Sequence, residues 1–193
     1  MKKRECQRRN IEPPRDEGQI TLLTSLFFLL FFSVLLVGWL QMEMVRSSAG
    51  YLEDALAASG LACALIDLRE YGVSHSVRIV DAKEAYEQYC RSLKSNLGLD
   101  EAWQCENKRL IFGRVTLEEY YVYNVNEDEV EYCRVDEGPL NWKQGKLGEV
   151  RAPNGQLVEK TGVYGEVSYS FRGIWGLTVP ARKGKLVDVA GED

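Results

Sequence analysis

Three groups of residues in this 193-residue chain have types that could carry chemistry. His75, its only histidine, stands in YGVSHSVRIVD between Ser74 and Ser76. An imidazole beside a hydroxyl is the pairing from which a general base activates a nucleophile. Adjacency in sequence does not build that geometry, and no GxSxG elbow, HExxH pair, P-loop or Rossmann glycine pattern accompanies it. Glu127, Asp128, Glu129 and Glu131 crowd a second stretch, NEDEVE. Calcium would need about six to eight oxygen ligands from a suitably spaced loop, and with no DxDxDG pattern the stretch reads as a solvated turn. The third group is Cys63, Cys90, Cys105 and Cys133, with Cys6 far upstream. Four thiols permit three disulfide connectivities, with free, part-buried thiols as the alternative. No CxxC or Cys/His spacing makes a metal set. The reading is a non-enzymatic chain without cofactor or metal.

The elements around these residues begin with DEGQITLLTSLFFLLFFSVLLVGWLQMEM. No side chain from Ile20 to Leu40 is charged, and ~20 helical residues at ~1.5 Å each match a hydrocarbon core of ~30 Å. A secretory signal would have a shorter apolar region, about 7 to 15 residues, before a small-x-small cleavage site. Gly38, Trp39, Leu40, Gln41 and Met42 make a poor site, so the span reads as a retained anchor. Lys2, Lys3, Arg4, Arg8, Arg9 and Arg15 precede it and only Arg46 follows closely. The positive-inside rule then predicts a single-pass protein of the cell membrane with a cytoplasmic N-terminus and an extracytoplasmic C-terminal domain. Beyond residue 18 the chain carries 18 basic and 25 acidic residues, a net of about −7. That sign excludes a nucleic-acid footprint.

From Gln41 to about Tyr71 no proline intervenes, and Leu52, Leu56, Ser59, Ala62, Cys63 and Ile66 recur at three- and four-residue steps. This predicts that the membrane helix continues as an amphipathic one. Gly50 and Gly60 mark points of close packing or bending, and the many alanines from Ala49 to Ala64 allow close approach of a helix or sheet. A shorter helix is predicted over about Asp81 to Asn96, with Asp81 as N-cap, Glu84 as its capping-box partner and Gly98 as the stop. The remainder is strand-rich. EEYYVYNVNEDEVEYCRV reads as two strands around NEDE, and Asn154-Gly155 in RAPNGQLVEK as a type I′ hairpin. VYGEVSYSF alternates Val163, Val167, Tyr169 and Phe171 with Tyr164, Glu166, Ser168 and Ser170, and final strands are predicted at Leu177 to Ala181 and Lys185 to Ala190. Tyr120, Tyr121, Tyr123 and Tyr132 read as core and cross-strand pairs rather than a ligand face. The predicted class is α+β, a lollipop of one long helix packed on an antiparallel sheet. Its parts are a basic cytoplasmic leader (1–18), a transmembrane helix (19–41), the amphipathic continuation of the stem (42–72) and an extracytoplasmic head (73–193).

The leader ending in Asp16-Glu17-Gly18, the apolar stem, Arg46 and YLEDALAASGLACAL resemble the N-termini of TadE/TadG-like pseudopilins, the minor pilin-like proteins of tight-adherence pili. Asp54, Ala55, Ala57, Ala58, Leu61 and Ala62 fall in the stretch where that family has its alanine-rich pattern, and the resemblance covers the first third of the chain. It implies a pilin-like structural subunit of a pilus or type II secretion-like assembly, with other anchored subunits as partners through the stem. It also implies a leader-peptidase junction between Gly18 and Gln19. A cut there would place Leu23 fifth in the mature chain, where conventional type IV prepilins carry glutamate. Thr21, Thr24, Ser25, Ser33 and Gly38 are the candidate residues for lateral stem packing; the alternative is that the hydroxyls cap their own helix. Phe27, Phe28, Phe31 and Phe32 read as lipid-facing bulk. A second function fits the same sequence, a cell-surface binding module with a small α+β domain on a plain anchor.

Overall fold

The computed structural model describes residues 15–63, 77–105, 111–136, 138–172 and 176–189. His75 with its flanking serines, Cys6 and the basic leader before Arg15 lie outside them. The chain divides into two compact units at Met42/Glu43.

Helix α1 runs over Arg15–Ala62 and contributes its first part to the N-terminal unit. There the large apolar side chains from Ile20 to Leu40 are 44–71% exposed, apart from the half-buried Val37. Phe27 stacks on Phe31 and Phe28 on Phe32, one helical turn apart. These contacts lie along one helix surface, and they follow from the i, i+4 spacing alone. Cys63 follows α1 as a turn residue, and the predicted continuation to Tyr71 lies outside the described residues.

The second unit is built on a five-stranded antiparallel sheet of order β3-β2-β1-β4-β5. The strands are β1 (Phe112–Asn126), β2 (Glu129–Arg134), β3 (Lys143–Lys146), β4 (Gly162–Arg172) and β5 (Thr178–Asp188). Together with the long helix this makes the fold α+β. Helix α2 (Ala82–Leu97) starts where Asp81 accepts the backbone N–H groups of Lys83 and Glu84 at 2.9 and 3.0 Å. It ends at Gly98, whose φ of 60° fits a left-handed cap. One face of α2, Ala82, Ala85, Tyr89, Leu93 and Leu97, is buried.

One face of the sheet carries Val115, Tyr120, Val122, Cys133, Val163 and Val167 into a core shared with Leu52, Leu56 and Cys63 of the α1 end and with α2. The close approach of helix to sheet needs Gly60, because a Cβ there would meet the side chain of Val187 at 2.7 Å. The stripe at three- and four-residue steps is therefore a packing stripe, at least as far as Cys63. The opposite face is not left to solvent. Tyr123, Val130, Tyr164 and Leu186 form a second core with Ala152 and Val158, residues of the connection between β3 and β4. Hence β4 is buried on both faces over Gly162 to Gly165 and alternates only afterwards.

Two strand expectations change. The final strands merge into a single β5 that pairs with β4 from Gly162↔Asp188 to Arg172↔Thr178. Gly184, in the gap left between the two expected strands, is where the Tyr164 side chain crosses, and a Cβ there would collide with its hydroxyl. The Asn154-Gly155 turn is not type I′, which requires positive φ at both residues. Only Gly155 has positive φ, 84°, and its N–H bonds Ala152 O at 2.8 Å. Pro153 supplies the fixed negative φ of a type I turn, which moves the left-handed position one residue on to Gly155. The flanking residues make only an isolated bridge, Arg151↔Leu157, rather than strands.

A second glycine sits under Tyr89, whose buried hydroxyl has no hydrogen-bond partner among the described residues and lies against Gly165. Gly165→Ala should lower stability by about 1–3 kcal/mol through overpacking. Tyr89→Phe removes the unpartnered hydroxyl and should leave stability unchanged or raised. In the double variant it should recover only part of the Gly165→Ala loss, because the ring Cζ would still stand 2.6 Å from the added Cβ, as read by urea unfolding of the full chain in detergent.

Candidate functional site

Four places have the exposure or chemistry to serve a function. The first is the surface of α1 in the N-terminal unit, part of a helix long and apolar enough to cross a membrane, its most apolar window unburied. This fits a single-pass membrane protein. The hydroxyls proposed for lateral packing are engaged within their own helix. Thr24 Oγ1 donates to Ile20 O at 2.7 Å, Ser25 Oγ to Thr21 O at 2.8 Å and Ser33 Oγ to Leu29 O at 2.7 Å. Gly38 has open space where a side chain would stand, as does Gly18 at the candidate junction, where Gln19 is exposed.

The second place ties the α1 end to the last strand. Glu53 receives Lys183 Nζ on one carboxylate oxygen and Lys185 Nζ on the other, both at 2.8 Å. The two lysines, two residues apart on β5, share one face of the sheet. Hydrogen bonds from both ammonium groups, and their charge, hold the Glu53 carboxyl down at about 2. This pairing was not foreseen, because nothing local to Glu53 points to residues so distant in sequence.

The third is a set of tyrosines. Tyr120 is enclosed by Tyr86 and Tyr89 at centroid distances of 5.4 and 4.8 Å, on the helix-covered face. Tyr121, Tyr123 and Tyr132 stack in series on the other face at 6.1 and 5.9 Å, with Tyr121 and Tyr132 half-buried. Tyr164 donates to Glu166 Oε2 at 2.8 Å. For Tyr120, Tyr121, Tyr123 and Tyr132 these are the core and cross-strand roles read from the strand pattern, whereas Tyr164 is buried on the face its alternation left to solvent. Burial raises the pKa of Tyr89, Tyr120, Tyr123 and Tyr164, so none is poised to act as a base.

The fourth is a polar cleft of about 130 Å³ lined by Val77, Arg78, Asn124, Val125, Asn126, Glu129 and Glu131. Within it Arg78 pairs with Glu131 at 2.9 Å, and Asn124 exchanges two hydrogen bonds with the backbone of Ile79, at 2.9 and 3.1 Å. Asn124 thus gives the Ile79 segment the pair of bonds a neighbouring strand would give. Of the acidic stretch, Glu127 and Asp128 form the β1–β2 turn, with Glu127 at φ 51° and Asp128 O accepting from Leu147 N. No group of three or more metal-ligating side chains is found among the described residues.

The cysteines are not brought together as disulfides: Cys63, Cys90, Cys105 and Cys133 all keep their thiols. Cys63 Sγ donates to Gly60 O at 3.0 Å and lies 3.4 Å from the Tyr120 hydroxyl. Cys90 is placed on α2 beside Tyr86 and Lys94. Cys105 Sγ is 4.0 Å from Leu97 O, and Cys133 sits on β2 opposite Val122. Burial pushes the Cys63 and Cys133 thiols up to about 11.

No protein-family model matches the chain, and no curated protein or solved structure shows significant similarity to it.

Two outcomes are expected. In the native protein at pH 8, Cys63 and Cys133 should resist a maleimide and label only in denaturant; mass mapping of labelled peptides checks this. For Glu53, a folded value near 2 against an ordinary 4.5 means its contribution to stability is complete above pH 4.5. That contribution drains away as the pH falls toward 2. All three side chains are about one-third exposed, so solvent screening limits it to about 1 kcal/mol. Glu53→Gln should remove that amount at pH 7 and abolish its share of the acid sensitivity, read from unfolding midpoints between pH 7 and pH 3.

Proposed function

We propose that this protein is a membrane-anchored, non-catalytic pilin-like subunit that works through its stem, as a structural component of a pilus or a related secretion assembly. The observation that carries the reading is α1 itself. One helix, Arg15–Ala62, carries an uncharged, exposed run of membrane length over Ile20 to Leu40 and ends with a stripe buried under an antiparallel sheet. Such a helix serves lipid or neighbouring helices with one part and folds a domain with the other. The N-terminal resemblance to TadE/TadG-like pseudopilins supports the same conclusion, and so does the charge distribution, which under the positive-inside rule favours a cytoplasmic leader and an outer sheet domain.

Lateral association in this reading rests on shape. Phe27, Phe28, Phe31 and Phe32 give the helix bulk, and Gly38 gives it an open notch. With the hydroxyls of Thr24, Ser25 and Ser33 donating to their own helix, van der Waals packing is the main attraction between stems. The binding-module alternative draws on the half-buried Tyr121 and Tyr132 and the cleft beside Glu129.

The deciding experiment replaces Ile20 to Leu40 by an unrelated span of equal length and measures crosslinking between chains in the native membrane. A pilin-like subunit should keep its membrane location and lose the crosslinked species. Crosslinking or function that survives the swap would make the segment a plain anchor and favour the binding module. Leu30→Arg, at the middle of the span, costs about 2.5–3.5 kcal/mol of insertion. It should shift a large share of the chain out of the carbonate-resistant membrane fraction. N-terminal sequencing with and without a prepilin peptidase should give a peptidase-dependent start at Gln19; an unchanged N-terminus in both would remove the protein from the prepilin pathway.

A further inference from the structure

No further inference is drawn: the strongest candidate, the polar cleft of about 130 Å³ between Val77–Arg78 and the β1–β2 hairpin, is lined by groups already paired with one another, Arg78 with Glu131 and Asn124 with Ile79, and its remaining carboxylate, Glu129, has nothing beside it that points to a ligand.

Discussion

Burial of Leu52, Leu56, Ser59 and Cys63 against the sheet is the contact on which the rest of the second unit depends. An apolar sheet face must be covered, and on this face the end of α1 and the buried side of α2 do so together. The fit has little slack. Gly60 brings the helix onto Val187, and Ala55 is buried in the same core. Ser59 is the polar member of this stripe, and it is fully provided for. Its hydroxyl donates to Ala55 O at 2.7 Å and accepts from Asn96 Nδ2 at 3.1 Å, so a buried polar side chain becomes a link between the two helices. Tyr51 adds a second link through its hydroxyl to Asn96 O at 2.8 Å.

The same helix shows how far local pattern carries. The uncharged run, the packing stripe, the Asp81 and Gly98 caps and the β1–β2 turn were legible because each is set by residues a few positions apart. Leu52, Leu56 and Ser59 repeat with the helical period, and Asp81 needs only the N–H groups of the next turn. The legible part of the candidate site is likewise local: the apolar surface and its small polar residues.

What could not be read depends on distant partners. β3 is four residues of Lys143, Gln144, Gly145 and Lys146, with no strand propensity to announce it, and it exists because β2 offers an edge. Gly184 falls in the gap between the two expected final strands, and nothing beside it in sequence shows that Tyr164 needs its missing Cβ. The alternation in VYGEVSYSF puts Tyr164 on the face that a half-buried strand leaves to solvent, where local pattern announces no second core. Ala152 and Val158 nonetheless supply one. The Glu53 pairing and the surroundings of the thiols belong to the same class, since both join elements far apart in the chain.

Ser33 and Ser59 make a comparison within one helix that bears on how stems could meet. Each donates to the carbonyl four residues back, at 2.7 Å, yet Ser59 still accepts a hydrogen bond from a neighbouring helix. Back-bonding therefore spends the proton of a hydroxyl and leaves its lone pairs. In lipid, Thr24, Ser25 and Ser33 are consequently acceptors, and a hydrogen bond to them requires a donor from the partner. Between identical stems those three positions offer no such donor, because the hydroxyl protons on both sides are committed to backbone carbonyls. Under the pilin-like reading, a hydrogen bond to them would need an N–H donor at the matching depth, such as an indole or amide like those of Trp39 and Gln41, whereas the rest of the contact between stems would rely on the fit of Phe and Gly surfaces. These three hydroxyls would thus discriminate among partners by the donor presented at that depth.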